Sequence, residues 1–220
     1  MMQNDKPHLP STAIGMLKRH GIVSTVLGAT ALLGSVLLIV FDQNGALTAL
    51  GISAVALQCL AFVALFLPAF AALRGEIKQG TIEVDPEHER EMRVSMPRWL
   101  VITSVGFAAA YIGALFFTDM DANVGMLGLL ALAFLNLGGN DWPSFETPAQ
   151  RARGAASLGM TGFLLTMPSA MLAGEHLGRT GFVELSVGAA TLIALGLTLV
   201  PGLFVFFSTI AVIGRAQHAH

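Results

Sequence analysis

Residues Leu185–Gly214 read LSVGAATLIALGLTLVPGLFVFFSTIAVIG and include no charged side chain. As a helix the stretch would be roughly 45 Å long at ~1.5 Å per residue. A bilayer's hydrocarbon core needs only about 20 residues. A helix lying on a water-soluble core would keep a polar face, and this one has none. It is therefore read as a membrane span with length to spare, and Pro201-Gly202 inside it predicts a kink.

Five further uncharged apolar runs precede it. The fold class expected is all-α, a polytopic membrane protein of six transmembrane helices. The spans are placed at Gly21–Phe41, Ala46–Ala72, Trp99–Thr118, Ala122–Gly139, Gly154–Gly174 and Leu185–Ser208. Residues 1–20 are an N-terminal tail and interfacial helix start, 74–98 the one sizeable polar connector, and 215–220 a tail. Residues 21–214 form a single membrane domain. Ser11 suits an N-cap, and Thr147-Pro148-Ala149-Gln150 matches a capping box with proline at the first helical position. Lys18, Arg19 and His20 mark the headgroup end of the first span. That span exceeds a signal-peptide core of about 7–15 residues and is read as retained.

Composition agrees with this reading. The chain is 54% hydrophobic and only 12% charged, with mean hydropathy +0.70, whereas globular domains carry about 25% charged residues. Cys59 is the single cysteine, which excludes an internal disulfide or a cysteine-based metal centre. No basic block interleaves with aromatics, so nucleic acid is not an expected partner.

The basic residues set the orientation. With the N-terminus in the cytoplasm, Lys6, Lys18, Arg19, Arg74, Lys78, Arg90, Arg93, Arg98, Arg151, Arg153 and Arg215 all fall inside. Only Arg179 falls outside. The positive-inside rule then gives both termini cytoplasmic and an even number of spans. The expected location is a bacterial inner membrane, and the partners are the lipid bilayer and a homo-oligomer or larger membrane complex.

The chemistry-bearing residues are few. Within the spans as drawn there is no Asp, Glu, Lys, Arg or His, so proton relays and carboxylate-coupled transport lose their usual groups. No catalytic constellation, cofactor or metal site is expected, and an enzyme is not. Gln58, Tyr111, Asn136, Thr166 and Thr198 are the polar groups within the spans that could touch a solute or bond between helices. Pro68, Pro168 and Pro201 are candidate kinks, and Pro68 and Pro168 fall late in the second and fifth spans. Small-residue pairs such as Thr30/Gly34, Ala49/Ser53 and Gly188/Thr191 with Gly196 would let helices approach closely.

Basic residues open three two-helix hairpins, and Phe41-Asp42 and Phe117-Thr118-Asp119 end the outward helices of the first two. This layout is similar to that of small six-span acid-stress proteins of bacterial inner membranes. In size it is also similar to six-span substrate-capture subunits of vitamin importers. No motif matches either group residue by residue. The function expected first is a permease or membrane-embedded solute-binding subunit for an uncharged or weakly polar solute. The alternative is a structural or regulatory subunit of a larger complex. A polar cavity beside Gln58 would favour the former, and a dry bundle with an exposed small-residue groove the latter.

Overall fold

The computed structural model describes residues 11–41, 44–80, 147–181 and 186–216. The expected spans Trp99–Thr118 and Ala122–Gly139, with Tyr111 and Asn136, lie outside the described residues. The described chain is entirely helical: α1 (Thr12–Val40), α2 (Asn44–Ala61), α3 (Leu67–Lys78), α4 (Pro148–Arg179) and α5 (Val187–Ala216). A π-helical turn, Phe62–Phe66, joins α2 to α3, so the two form one continuous rod. Four of these segments are long and apolar enough to cross a membrane: Thr12–Val40, Gly45–Lys78, Pro148–Arg179 and Val187–Gly214.

The helices start and stop where local chemistry directs. Ser11 caps α1, its hydroxyl accepting from the Ile14 amide at 3.2 Å. Glu76, near the end of α3, receives the Ser11 hydroxyl and the Ala13 amide. A carboxylate there meets the positive end of the α1 dipole. The capping box at α4 is complete, with Gln150 N–H donating to Thr147 Oγ1 and Thr147 N–H to Gln150 Oε1, both at 3.2 Å. Gly80 and Gly181 follow α3 and α4 with φ of 69° and 67°. That left-handed geometry stops a helix and suits glycine.

α1 and α4 both begin earlier than the expected spans. α1 is already helical at Thr12, nine residues before Gly21, as the Ser11 cap implies, so the basic pair Lys18-Arg19 rides on the helix. The π turn sits directly before Pro68, which is the second residue of α3. Proline lacks an amide hydrogen and crowds the preceding turn, and a widened turn relieves both. α4 and α5 run on through Pro168 and Pro201.

α4 is the central helix. In its most apolar window 78% of residues are buried, against 22%, 28% and 33% for α1, α2–α3 and α5. The outer three instead expose large apolar side chains, among them Leu33, Val40, Leu60, Val63, Val200 and Phe207, as lipid-facing helices do. One core cluster joins Ala13 and Leu17 of α1, Leu73 of α3, Ala149 and Ala152 of α4, and Ile213 of α5. The start of α1, the end of α3, the start of α4 and the end of α5 therefore meet at one end of the bundle.

Close approach between the helices depends on small residues, only some of them those the sequence spacing suggested. A Cβ on Gly21 would stand 2.7 Å from the Ala155 carbonyl oxygen, and one on Gly28 would overlap the Gly162 carbonyl. Gly51 faces Ser169, and Gly174 faces Ala190. Of the residues the spacing singled out, Gly34 meets Leu50 of α2 and Thr191 meets Gly174 of α4, whereas Thr30, Ala49 and Ser53 point outward and Gly188 and Gly196 meet nothing.

Candidate functional site

The polar residues on the α1–α4 seam form a ladder. Thr25 Oγ1 donates to the Leu158 carbonyl at 2.9 Å, Ser24 Oγ to the Gly159 carbonyl at 3.1 Å, and the Ser35 and Ser169 hydroxyls pair at 2.8 Å. These bonds are possible because Gly21, Gly28 and Gly162 let the two backbones come close.

Gln58 reaches into this seam from α2 and is fully buried. Its Oε1 accepts from Ser24 Oγ at 2.8 Å. Its Nε2 donates to the Ser24 carbonyl at 2.9 Å, to Thr166 Oγ1 at 2.9 Å and to the Gly162 carbonyl at 3.2 Å. One side chain thus ties three helices together. An amide has two donor hydrogens and a carbonyl acceptor, and all are engaged. Of the sequence-derived candidates, Gln58 and Thr166 are brought into direct contact. Thr198 is buried as well, but its hydroxyl donates to the Leu195 carbonyl of its own helix at 3.0 Å.

Pro201 has a partner in this architecture. Proline has no N–H, so the carbonyl four residues earlier, that of Leu197, loses its usual donor. The Cys59 thiol, from α2, points at that oxygen with sulfur 3.9 Å away. Beside it, Gly202 gives room to Phe163, whose Cβ would lie 2.9 Å from an added methyl.

On the far side of this contact lies a cleft of about 420 Å³. Its walls are Gly51, Ile52, Val55, Ala56 and Cys59 from α2, and Ala190, Ile193, Ala194 and Leu197 from α5. Its floor is Ala170, Ala173, Gly174 and Leu177 of α4. Gln58 and Thr166 do not line it. The brace and the cleft are separate features, one polar and filled, the other apolar and open to the side.

His20 is the residue whose packing sequence reasoning did not foresee. Expected at the headgroups, it is fully buried between Phe66 and Phe163, with ring centroids 5.4 and 6.4 Å away. Neither ring nitrogen has a hydrogen-bond partner. A usable signal was present: Leu17, His20, Gly21, Ser24, Gly28, Ala31 and Ser35 recur at three- and four-residue spacing, and all are buried. The aromatic group continues through Phe62, Phe70 and Phe204, with Arg74 5.9 Å over the Phe70 ring.

At the opposite end of α4, Arg179 pairs with Glu175 one turn earlier. Among the described residues no cluster of His, Cys, Asp or Glu could hold a metal ion. Comparison with family models, with curated proteins and with solved structures finds no match to this chain.

Proposed function

We propose that the chain is a structural or regulatory subunit of a bacterial inner membrane, packing within a larger complex and moving no polar solute itself. The observation that supports this is Gln58. Both amide hydrogens and one lone pair of its oxygen are taken by Ser24, Gly162 and Thr166, and the side chain does not line the cleft. A transport site for a weakly polar solute would need such groups facing a cavity.

The same proposal carries six spans with both termini cytoplasmic. α3 ends and α4 begins at the same end of the bundle, together with the start of α1 and the end of α5. A connection between those two ends favours an even number of crossings, and residues 81–146 contain two apolar runs. The end that carries Lys18, Arg19, Arg74, Lys78, Arg151 and Arg153 is the cytoplasmic one under the positive-inside rule. A second reading, a binding subunit for an uncharged solute, is favoured by the apolar cleft.

Cross-linking in intact membranes tests the first reading. A hetero-oligomer of fixed stoichiometry is expected, and a chain that stays monomeric and translocates a solute when reconstituted alone would overturn it. Orientation is checked in a Cys59→Ala background. Cysteine at Arg179 should react with an impermeant thiol reagent outside intact cells, and cysteine at Gln79 or Gln150 should not. The reverse pattern would overturn the orientation.

A further inference from the structure

We infer that the cleft between α2, α4 and α5 holds one acyl chain of a membrane phospholipid. The inference is independent of the packing role proposed above. Its first support is depth. The cleft runs from Gly51 to Cys59 on α2 and from Ala190 to Leu197 on α5, about 12 Å of helix at ~1.5 Å per residue. The hydrocarbon core is about 30 Å thick, so one leaflet is roughly 15 Å. A partner's transmembrane helix would need a groove running the full thickness, whereas a single leaflet's acyl chain needs only this half.

The second support is closure. At the inner end the Cys59 thiol meets the Leu197 carbonyl, and beyond it Phe62 stacks edge-on to Phe204, with centroids 5.9 Å apart. The cleft therefore stops near the middle of the span, where an acyl chain ends. Its other end opens toward the last turn of α4 and the first turn of α5, at the level of a headgroup.

The third support is chemistry. Every lining residue is apolar apart from the Cys59 thiol, and that thiol is turned to Leu197. A ligand with a polar group at this depth would lose hydrogen bonds on entry. A laterally open apolar space in a bilayer is filled by what surrounds it, and a lining rich in alanine and glycine leaves room for an unbranched chain.

The test uses the full chain in nanodiscs of phosphatidylcholine and phosphatidylglycerol. A phospholipid with a photoreactive group at the end of one acyl chain is added, and labelled peptides are mapped by mass spectrometry. Label should concentrate at Cys59 and Leu197 and resist chase by unlabelled lipid, unlike label at the lipid-facing Leu33. Ala194→Phe fills the cleft and should lower the cleft label about tenfold, with the unfolding temperature unchanged. Ala56→Phe serves the same purpose from the opposite wall if the first variant misfolds. Three results would overturn the inference. One is equal labelling at Cys59 and Leu33. Another is displacement by free fatty acid but not by phospholipid. The third is cross-linking of Cys59 to residues 99–139 or to a second copy of the chain, which would mean that protein fills the cleft.

Discussion

Replacing Gln58 by leucine isolates the polar brace, because the two side chains are close in volume and the exchange leaves no large void. The native amide accepts from Ser24 Oγ and donates to Ser24 O, Thr166 Oγ1 and Gly162 O. Two amide hydrogens shared among three acceptors, and one Ser24 hydroxyl hydrogen shared with the Gly159 carbonyl, amount to about two to three full bonds. Interhelical bonds within membranes average about 0.6 kcal/mol each, so the loss is about 2 kcal/mol. The low end of the range applies because every partner keeps a second bond. Ser24 Oγ still reaches the Gly159 carbonyl at 3.1 Å, and Thr166 Oγ1 still donates to the Gly162 carbonyl at 2.9 Å. Ser24→Ala differs, since it strands the Gln58 carbonyl in a fully buried site and should cost about 1–3 kcal/mol. The double variant should cost less than the sum of the two singles, as expected for contacting residues. Equilibrium unfolding in mixed micelles measures all three. Strict additivity, or a neutral Gln58→Leu, would refute the brace. Lost ligand binding at unchanged stability would overturn the packing role and restore a solute site.

Four other outcomes follow from the same geometry. Glu76→Ala should release the Ser11 hydroxyl and the Ala13 amide, costing about 1 kcal/mol and speeding amide exchange over residues 12–16; unchanged exchange there would show that the carboxylate contributes nothing. Gly28→Val should separate α1 from α4 and prevent folding, because its Cβ overlaps a backbone carbonyl. Gly196→Ala, which meets nothing, should stabilise by about 0.5–1 kcal/mol, and thermal unfolding that ranked the two variants the other way would refute this assignment of faces. His20→Leu should leave stability equal or higher, since it removes two buried nitrogens without partners; a loss would mean that the imidazole makes a bond.

What the sequence revealed, and what it hid, divides along physical lines. Hydropathy and length located the four described spans, because desolvating backbone is feasible only in long apolar helices. The caps at Ser11 and Thr147 were legible since they depend on residues three apart. The central position of α4 was not read, although it is the least apolar of the four spans and is dense in glycine, alanine and serine. Apolarity marks exposure to lipid, so the most buried membrane helix resembles a weak one. Gln58 was legible as buried, but its partners Gly162 and Thr166 are about a hundred residues away, and no local pattern encodes such a pairing. The cleft was invisible for the same reason, being built from three separated helices.

The central helix being late in the chain has a consequence for biogenesis. Ribosomes deliver α1 and α2 to the bilayer well before α4 is synthesised. During that interval the Gln58 amide has Ser24 within reach on the neighbouring helix, while the oxygens of Gly162 and Thr166 do not yet exist. The Ser24–Gln58 pair is thus a holding contact for a nascent hairpin, sheltering an amide from hydrocarbon until its remaining acceptors emerge. Chains lacking Ser24 would meet the quality-control proteases of the membrane at this early stage, before the finished protein's stability had any bearing on their survival.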